Sequence, residues 1–306
     1  SDRIMTKYGN TPLGMAVSAM EFIRIFKAEN FNQLVLSMKS SNILVMTEST
    51  KLLVEMMTAE GFACPLHLGV TEAGEGEDGR IRSAMGIGAL LTEGIGDTIR
   101  VSLSEPPEDE IPVARLIVET ALRHTASPPP PQPPGMANIT EAGGKTTLNL
   151  KYDITGHDEL AVVAAVDSSP YLIPRKATGL VIDNGTNLPE ATVKSVVDGI
   201  LQAARIKITR NDYISCPTCG RTRFNLQDAV KKVKEATGHL TGLKIAVMGC
   251  VVNGPGEMAD ADYGYVGAAE GKVHIYRGTE AVLKNVLDSE AVTKLLELIA
   301  ADQTSL

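Results

Sequence analysis

The chain has 306 residues, 43% of them hydrophobic, and a formal net charge of -8 at pH 7. That length supports a buried core and two domains or more. The acidic balance, the 4% aromatic content and the absence of tryptophan argue against nucleic acid as a partner. They leave room for an anionic small molecule in a locally basic pocket. No apolar run reaches the roughly 18 residues needed to cross a bilayer. The opening SDRIMTKYGN has no signal-peptide core, so a cytoplasmic or stromal location is expected.

Residues 13–28 have apolar spacing near 3.6 and predict an amphipathic helix. FNQLVLSMKS follows as an apolar run with a polar end, the look of a buried parallel strand opening into a loop. ESTKLLVEMMTAEGF predicts a helix closed by Gly61, and PLHLGVTEAG a second strand. A helix over 80–93, a strand over DTIRVSLSEPP and a helix over IPVARLIVETALRH complete the first part. This alternation predicts a parallel α/β sheet, with polar residues gathered at the strand ends: Lys39, then Thr71 and Glu72, then Arg100 and Ser102. In barrels the C-terminal strand ends carry the chemistry, but three βα units cannot close one.

Residues 126–135 (ASPPPPQPPG) predict a stiff polyproline linker. Beyond it TTLNLKYDI, ELAVVAAVD and ATGLVIDN read as strands, and PEATVKSVVDGILQAAR as a helix with Pro189 near its start. The last part offers a strand ending on Cys250 (LTGLKIAVMGC), strands YGYVGAA and KVHIYRG, and a closing helix SEAVTKLLELIAAD, together a compact α+β module. The expected domains are 1–124, 125–210 and 211–306.

The four cysteines do not form a disulfide framework. SCPTCGRT and the later MGCVVNGPGE supply Cys216, Cys219, Cys250 and Glu257 as candidate ligands. A C-x-x-C pair lets two thiolates reach one metal or adjacent corners of one cluster. A third thiolate at a strand end, followed by the turn-forming NGPG, suits a site lined by backbone amides. The spacing alone leaves an iron–sulfur cluster, a zinc site completed by a histidine, a thioredoxin-like redox pair and unligated core thiols all open. His239 and His274 lack ligand-like spacing to Cys250, and Cys64, ahead of a strand, reads as a packed core thiol.

SCPTCGRT with GLKIAVMGCVVNGPGEMADADYGYVG resembles the cluster domain of the 4-hydroxy-3-methylbut-2-enyl diphosphate synthase family. KSSN and PLHLGVTEAGEGEDGRIRSAMGIGALLTEGIGDTIRVSLSEPPEDEI resemble the second half of that family's barrel, in the right order. The resemblance implies a partial TIM-type barrel, a shortened α/β insert, and a C-terminal α+β [4Fe–4S] domain like those of sulfite and nitrite reductases. It implies the penultimate step of the methylerythritol phosphate route: reductive opening of 2-C-methyl-D-erythritol 2,4-cyclodiphosphate to the allylic diphosphate. By the same resemblance Cys216, Cys219, Cys250 and Glu257 hold the cluster, Glu257 being the weak, displaceable ligand. Lys39, Arg100 and Ser102 bind the diphosphate, Asn253 contacts substrate or cluster, and Glu72 supplies a proton. His67 and Thr71 flank Glu72, and Asp260 and Asp262 read as turn residues. Reduced ferredoxin or flavodoxin is the implied electron donor, with no nucleic acid or membrane partner. A homodimer is one arrangement, and the location is the bacterial cytoplasm, or the plastid stroma for a plant-type source.

Two departures from the family stand out. Its barrel has eight strands, and this chain begins about halfway through, without arginines expected to hold the diphosphate, so a fragment of a longer protein is expected. About 85 residues separate the two matching stretches, and RTRF and EMADADYGYVG point to relatives carrying an inserted domain, here shortened. The rivals are a non-catalytic fragment retaining a cluster or zinc module, and a sirohaem-type reductase, which uses four cysteines.

Overall fold

The computed structural model describes residues 2–125, 138–216, 222, 224–252, 254, 258 and 261–303. The polyproline stretch lies outside them, as do Cys219, Asn253, Glu257 and Asp260. The chain divides into two compact units. The first comprises residues 1–70, 76–102 and 107–207; the second comprises 71–75, 103–106 and 208–306.

The first unit opens with helices α1 (Asp2–Tyr8) and α2 (Pro12–Ala28). Thr11 caps α2 by accepting from the Gly14 amide at 3.1 Å, with Pro12 in the first turn where its missing N–H costs nothing. The three apolar runs expected as strands lie side by side and parallel. Leu36 bridges Leu66, and β1 (His67–Leu68) pairs with β2 (Thr98–Ile99). Helix α3 (Ile43–Ala59) follows the first run; Asn42 caps it through Leu44 and Val45. Helix α4 (Gly76–Leu91) follows β1, and α5 (Pro107–Thr125) follows β2. The order of runs and helices stands, but FNQLVLSMKS, expected as a buried strand, makes only the isolated Leu36 bridge and leaves Phe31 and Val35 exposed, because only its one neighbour, the Leu66 run, pairs with it among the described residues.

The remainder of this unit is a second α/β layer. β3 (Asn138–Ala142) runs antiparallel to β4 (Lys145–Lys151), which pairs in parallel with β5 (Gly179–Asp183). Helix α6 (His157–Leu172) joins β4 to β5, and α7 (Glu190–Ala203) follows. ELAVVAAVD, expected as a strand, lies in α6. A continuous apolar run cannot show helical period when the helix is buried all round, and Leu160–Ser169 are all buried. Its buried faces contact α4, α5 and α7. Gly88 in α4 makes the crossing close: a Cβ there would sit 3.0–3.2 Å from Val166. A mid-helix glycine costs about 0.5–1 kcal/mol against alanine, a cost that this packing offsets.

Polar ties fasten the same layers. Glu77 at the start of α4 meets His157 Nε2 at 2.6 Å and accepts from Ser195 Oγ at 2.8 Å. Asp167, buried in α6, meets His124 Nε2 at 2.7 Å and accepts from Tyr152 OH at 2.9 Å. Burial and the Asp167 carboxylate hold the Tyr152 hydroxyl well above its ordinary pKa, so it stays a donor.

The second unit is built on a five-stranded sheet of order β10-β9-β8-β7-β6. β6 (Asp212–Ser215), β7 (Lys244–Met248) and β8 (Tyr263–Ala269) are parallel; β9 (Lys272–Arg277) and β10 (Glu280–Leu287) run antiparallel. Helices α8 (Leu226–Thr237) and α9 (Asp288–Gln303) cover one face, packing Val230, Val233, Leu295 and Ile299 on Val247 and Ile275. Met258 and Ala261 pack the other face, on Ile214, Met248 and Val266. β7, an interior strand between β6 and β8 and buried along its length, is apolar throughout except for Lys244 at its start. No helix among the described residues is long and apolar enough to cross a membrane.

Candidate active site

In the first unit, residues from the three strand ends converge. Lys39 lies at the end of the first run, half-buried; Arg100 lies just past β2 and is exposed. Between them, on the end of the middle run, is Gly69. A Cβ at Gly69 would fall on Lys39 Nζ and lie 2.7 Å from the Arg100 carbonyl oxygen. Glycine there is what lets the Lys39 ammonium lie across the sheet edge. Burial, and then the Arg100 charge, bring the Lys39 pKa down to about 8. Burial, then Lys39 and Arg100, lower that of His67. His67 Nδ1 meets Thr98 Oγ1 at 2.8 Å, and Ser37 Oγ donates to the His67 carbonyl at 2.7 Å. Cations repelling one another at the open edge of an acidic protein make a place for an anion. A cavity of about 450 Å³ adjoins Lys39, lined also by Asn10, Thr11, Ser18, Phe22 and Ser37. Ser102, half-buried, is the last residue of its stretch in this unit.

Glu72 belongs to the second unit, in the short segment 71–75. It is 6% exposed and has φ 54°, a left-handed conformation uncommon for a glutamate and typical of functional loops. Thr71 shares that segment.

Two of the cysteines follow neighbouring strands of the same unit. β6 and β7 are adjacent and parallel, with Ser215 opposite Val247. Cys216 comes immediately after β6 and Cys250 two residues after β7, both half-buried. The Gly249 amide donates to Cys216 Sγ at 3.1 Å, a bond of the kind that stabilises a thiolate or a cluster sulfur. Close glycines hold this corner. A Cβ on Gly267 would collide with the Gly249 carbonyl oxygen and lie 2.7 Å from the Phe224 ring. One on Gly254 would press on Val266 and Met248 at 3.0–3.1 Å.

The structure thus brings Lys39 near Arg100 in one unit, and Cys216 near Cys250 in the other. Cys219, Glu257 and Asn253 fall outside the described residues. Among those described, no three His, Cys, Asp or Glu side chains gather as a metal site. Asp262, expected as a turn residue, is half of a backbone anchor: its carboxylate accepts from the Lys244 amide at 2.7 Å. Sequence reasoning missed Gly69, whose signal was a glycine inside a strand pattern, and Ser104, described below.

Comparison with known proteins agrees with this division. The GcpE TIM-barrel domain matches residues 1–115, and the GcpE protein C-terminal domain matches residues 212–301. A 4-hydroxy-3-methylbut-2-en-1-yl diphosphate synthase (flavodoxin) of Bacteroides fragilis strain YCH46 is 37% identical, over 99% of this chain and 70% of its own length. That comparison runs over 441 positions, so the relative carries a long stretch with no counterpart among these 306 residues. The synthases named for ferredoxin from Prochlorococcus marinus and Thermosynechococcus vestitus are 43% and 42% identical, each over 99% of this chain and 54% of their own lengths. This chain belongs to the 4-hydroxy-3-methylbut-2-en-1-yl diphosphate synthase family.

Proposed function

We propose that the chain carries the reductive opening of 2-C-methyl-D-erythritol 2,4-cyclodiphosphate to 4-hydroxy-3-methylbut-2-enyl diphosphate, an isoprenoid-forming step. The observation that carries this reading is the pairing of Cys216 and Cys250 at adjacent parallel strand ends, with the Gly249 amide on Cys216 Sγ. Two thiols so placed, one already accepting an amide hydrogen bond, fit two corners of an iron–sulfur site. Cys219 and Glu257 would complete the ligand set. When bound, a [4Fe–4S] cluster would supply electrons and offer one iron as a Lewis acid. The unit's small mixed sheet, with α8 and α9 on one face, suits a cluster module of the sulfite and nitrite reductase type.

In the reaction, two electrons enter, the bond between the methyl-bearing ring carbon and its phosphate oxygen breaks, and the secondary hydroxyl on the neighbouring ring carbon takes up a proton and leaves as water, so that the double bond forms between these two carbons. Lys39 and Arg100 would hold the diphosphate by charge-assisted hydrogen bonds, with the Ser102 hydroxyl beside them. Glu72 would hold the proton that the departing hydroxyl takes; its burial and fixed backbone keep it in one position. Asn253 would contact the substrate. The relatives' names specify flavodoxin or ferredoxin, and reduced protein of one of these classes is the proposed electron donor here.

Turnover tests this reading. Protein purified without oxygen is given the cyclodiphosphate and a reduced donor, and product is followed by phosphorus NMR. The parent chain is expected to form the linear diphosphate. Glu72→Gln is expected to lose roughly 100-fold or more in kcat, the usual scale for a removed general acid. Equal rates for parent and Glu72→Gln would remove Glu72 from the chemistry.

A further inference from the structure

The segments 71–75 and 103–106 follow the second and third parallel runs of the sequence, yet both belong to the second unit. One residue joins them there. Ser104 is 9% exposed and each of its polar groups is engaged. Its amide donates to the Gly74 carbonyl at 2.9 Å. Its hydroxyl meets Ser215 Oγ at 2.8 Å, and its carbonyl accepts from Gln227 Nε2 at 3.3 Å. Ser215 is 3% exposed and immediately precedes Cys216. A second tie lies alongside: Lys234 of α8 pairs with Glu75 at 2.7 Å, its ammonium 5.6 Å from the centre of the Tyr213 ring in β6.

We infer that Ser104 is a positioning residue, a latch that fixes the segment carrying Glu72 to the strand end carrying Cys216 through Gly74 on one side and Ser215 on the other. The physical argument is the cost of leaving a buried hydroxyl unmet. Ser104 and Ser215 satisfy each other out of water, so removing one strands the other. A surface contact between two exposed loops would carry no such penalty. Between them the two serines relay position from Gly74, two residues past Glu72, to Cys216, whose sulfur is in turn set by Gly249. The catalytic consequence rests on the proposed reductase reading; the latch does not.

Amide hydrogen exchange on the full chain, purified without oxygen, tests the latch with no need for turnover. Ser104→Ala is expected to speed exchange in 71–75 and 103–106 about tenfold, the factor corresponding to a stranded hydroxyl's lower cost. Ser104→Thr, which keeps the hydroxyl, should restore the parent rates. The half-buried Glu75–Lys234 pair gives a second set of variants: Glu75→Lys and Lys234→Glu should each loosen 71–75, and the double swap should recover it. Unchanged exchange in both segments overturns the inference. So does a uniform acceleration across 208–303, which would report general unfolding. In protein that turns over, Ser104→Ala should lower kcat about tenfold with KM little changed, and Thr should rescue it. Loosened segments with full kcat would overturn the positioning role. No turnover even in the parent would count against the reductase reading and leave the exchange result to decide the latch.

Discussion

Both units place candidate functional groups at the C-terminal ends of parallel strands, but they fix them in opposite ways. In the first, long cationic side chains reach across the edge, and space for them comes from Gly69. The groups are few-bonded, close enough to repel, and adjustable in protonation. In the second, short side chains sit on the backbone itself: Cys216 and Cys250 are set by adjacent strands, a backbone amide, and glycines packed within van der Waals contact. A reach of several rotatable bonds suits a flexible diphosphate. A rigid inorganic group needs donors whose positions are not negotiable. The first edge should therefore respond to change in degrees, the second all at once.

The sharpest way to break this contrast is at the thiols. Cys216→Ser and Cys250→Ser should each abolish the visible iron–sulfur absorption and all turnover, while far-ultraviolet circular dichroism stays near that of the parent. A graded loss would remove the distinction between the two edges. Next in size is Gly267→Ala. The added methyl meets the Gly249 carbonyl and the Phe224 ring, and should destabilise the second unit by about 1–3 kcal/mol, the usual cost of overpacking. Chemical denaturation followed through a probe in that unit would measure it. Gly69→Ala displaces the end of a flexible lysine but also presses on the Arg100 carbonyl. It should weaken binding of inorganic pyrophosphate roughly tenfold, read by calorimetric titration, and leave the cluster spectrum unchanged.

A finer test uses pH. The Lys39 pKa stands at about 8 because burial, and then Arg100, disfavour its charge. Anion affinity at this edge should fall as pH rises through 8, since the neutral amine binds no phosphate. The same depression from 10.5 means the unfolded chain holds this proton more tightly than the folded one. Lys39's contribution to stability therefore improves as pH rises from about 8 to about 10.5 and is least favourable below 8. Pyrophosphate affinity that stays flat between pH 7 and 9 would contradict the assignment of Lys39. The smallest effect belongs to exposed pairs such as Arg24–Glu60. Arg24→Ala should leave the thermal midpoint unchanged within error, because exposed ion pairs are screened and carry side-chain entropy.

Much of this was legible in the sequence, and the exceptions have physical causes. Helices α2 to α5 of the first unit followed from periodicity, and of the three parallel runs the middle one, with Leu66, Leu68 and Val70 buried, matches its apolar pattern best. Spacing named Cys216 and Cys250 as candidate ligands, and the structure puts them just past two adjacent parallel strands. α6 was not legible: a helix buried on every side has no polar face to mark its period, and its Ala–Val run reads equally as strand. α8 carries a plain helical signature in its sequence, an Asn225 cap and a strongly amphipathic pattern. Ser104 could not be found by pattern at all, since its partners lie 30 and 111 residues away and only the fold brings them together.

If the cysteine corner of the second unit holds a four-iron cluster, metal content will show it. Iron, acid-labile sulfide and zinc would be measured per chain after purification without oxygen, for the parent and for Glu257→Ala. About four irons and four sulfides, with an altered spectrum in Glu257→Ala, is the predicted result. About one zinc with no sulfide would contradict it and leave a structural metal module in place of a reductase.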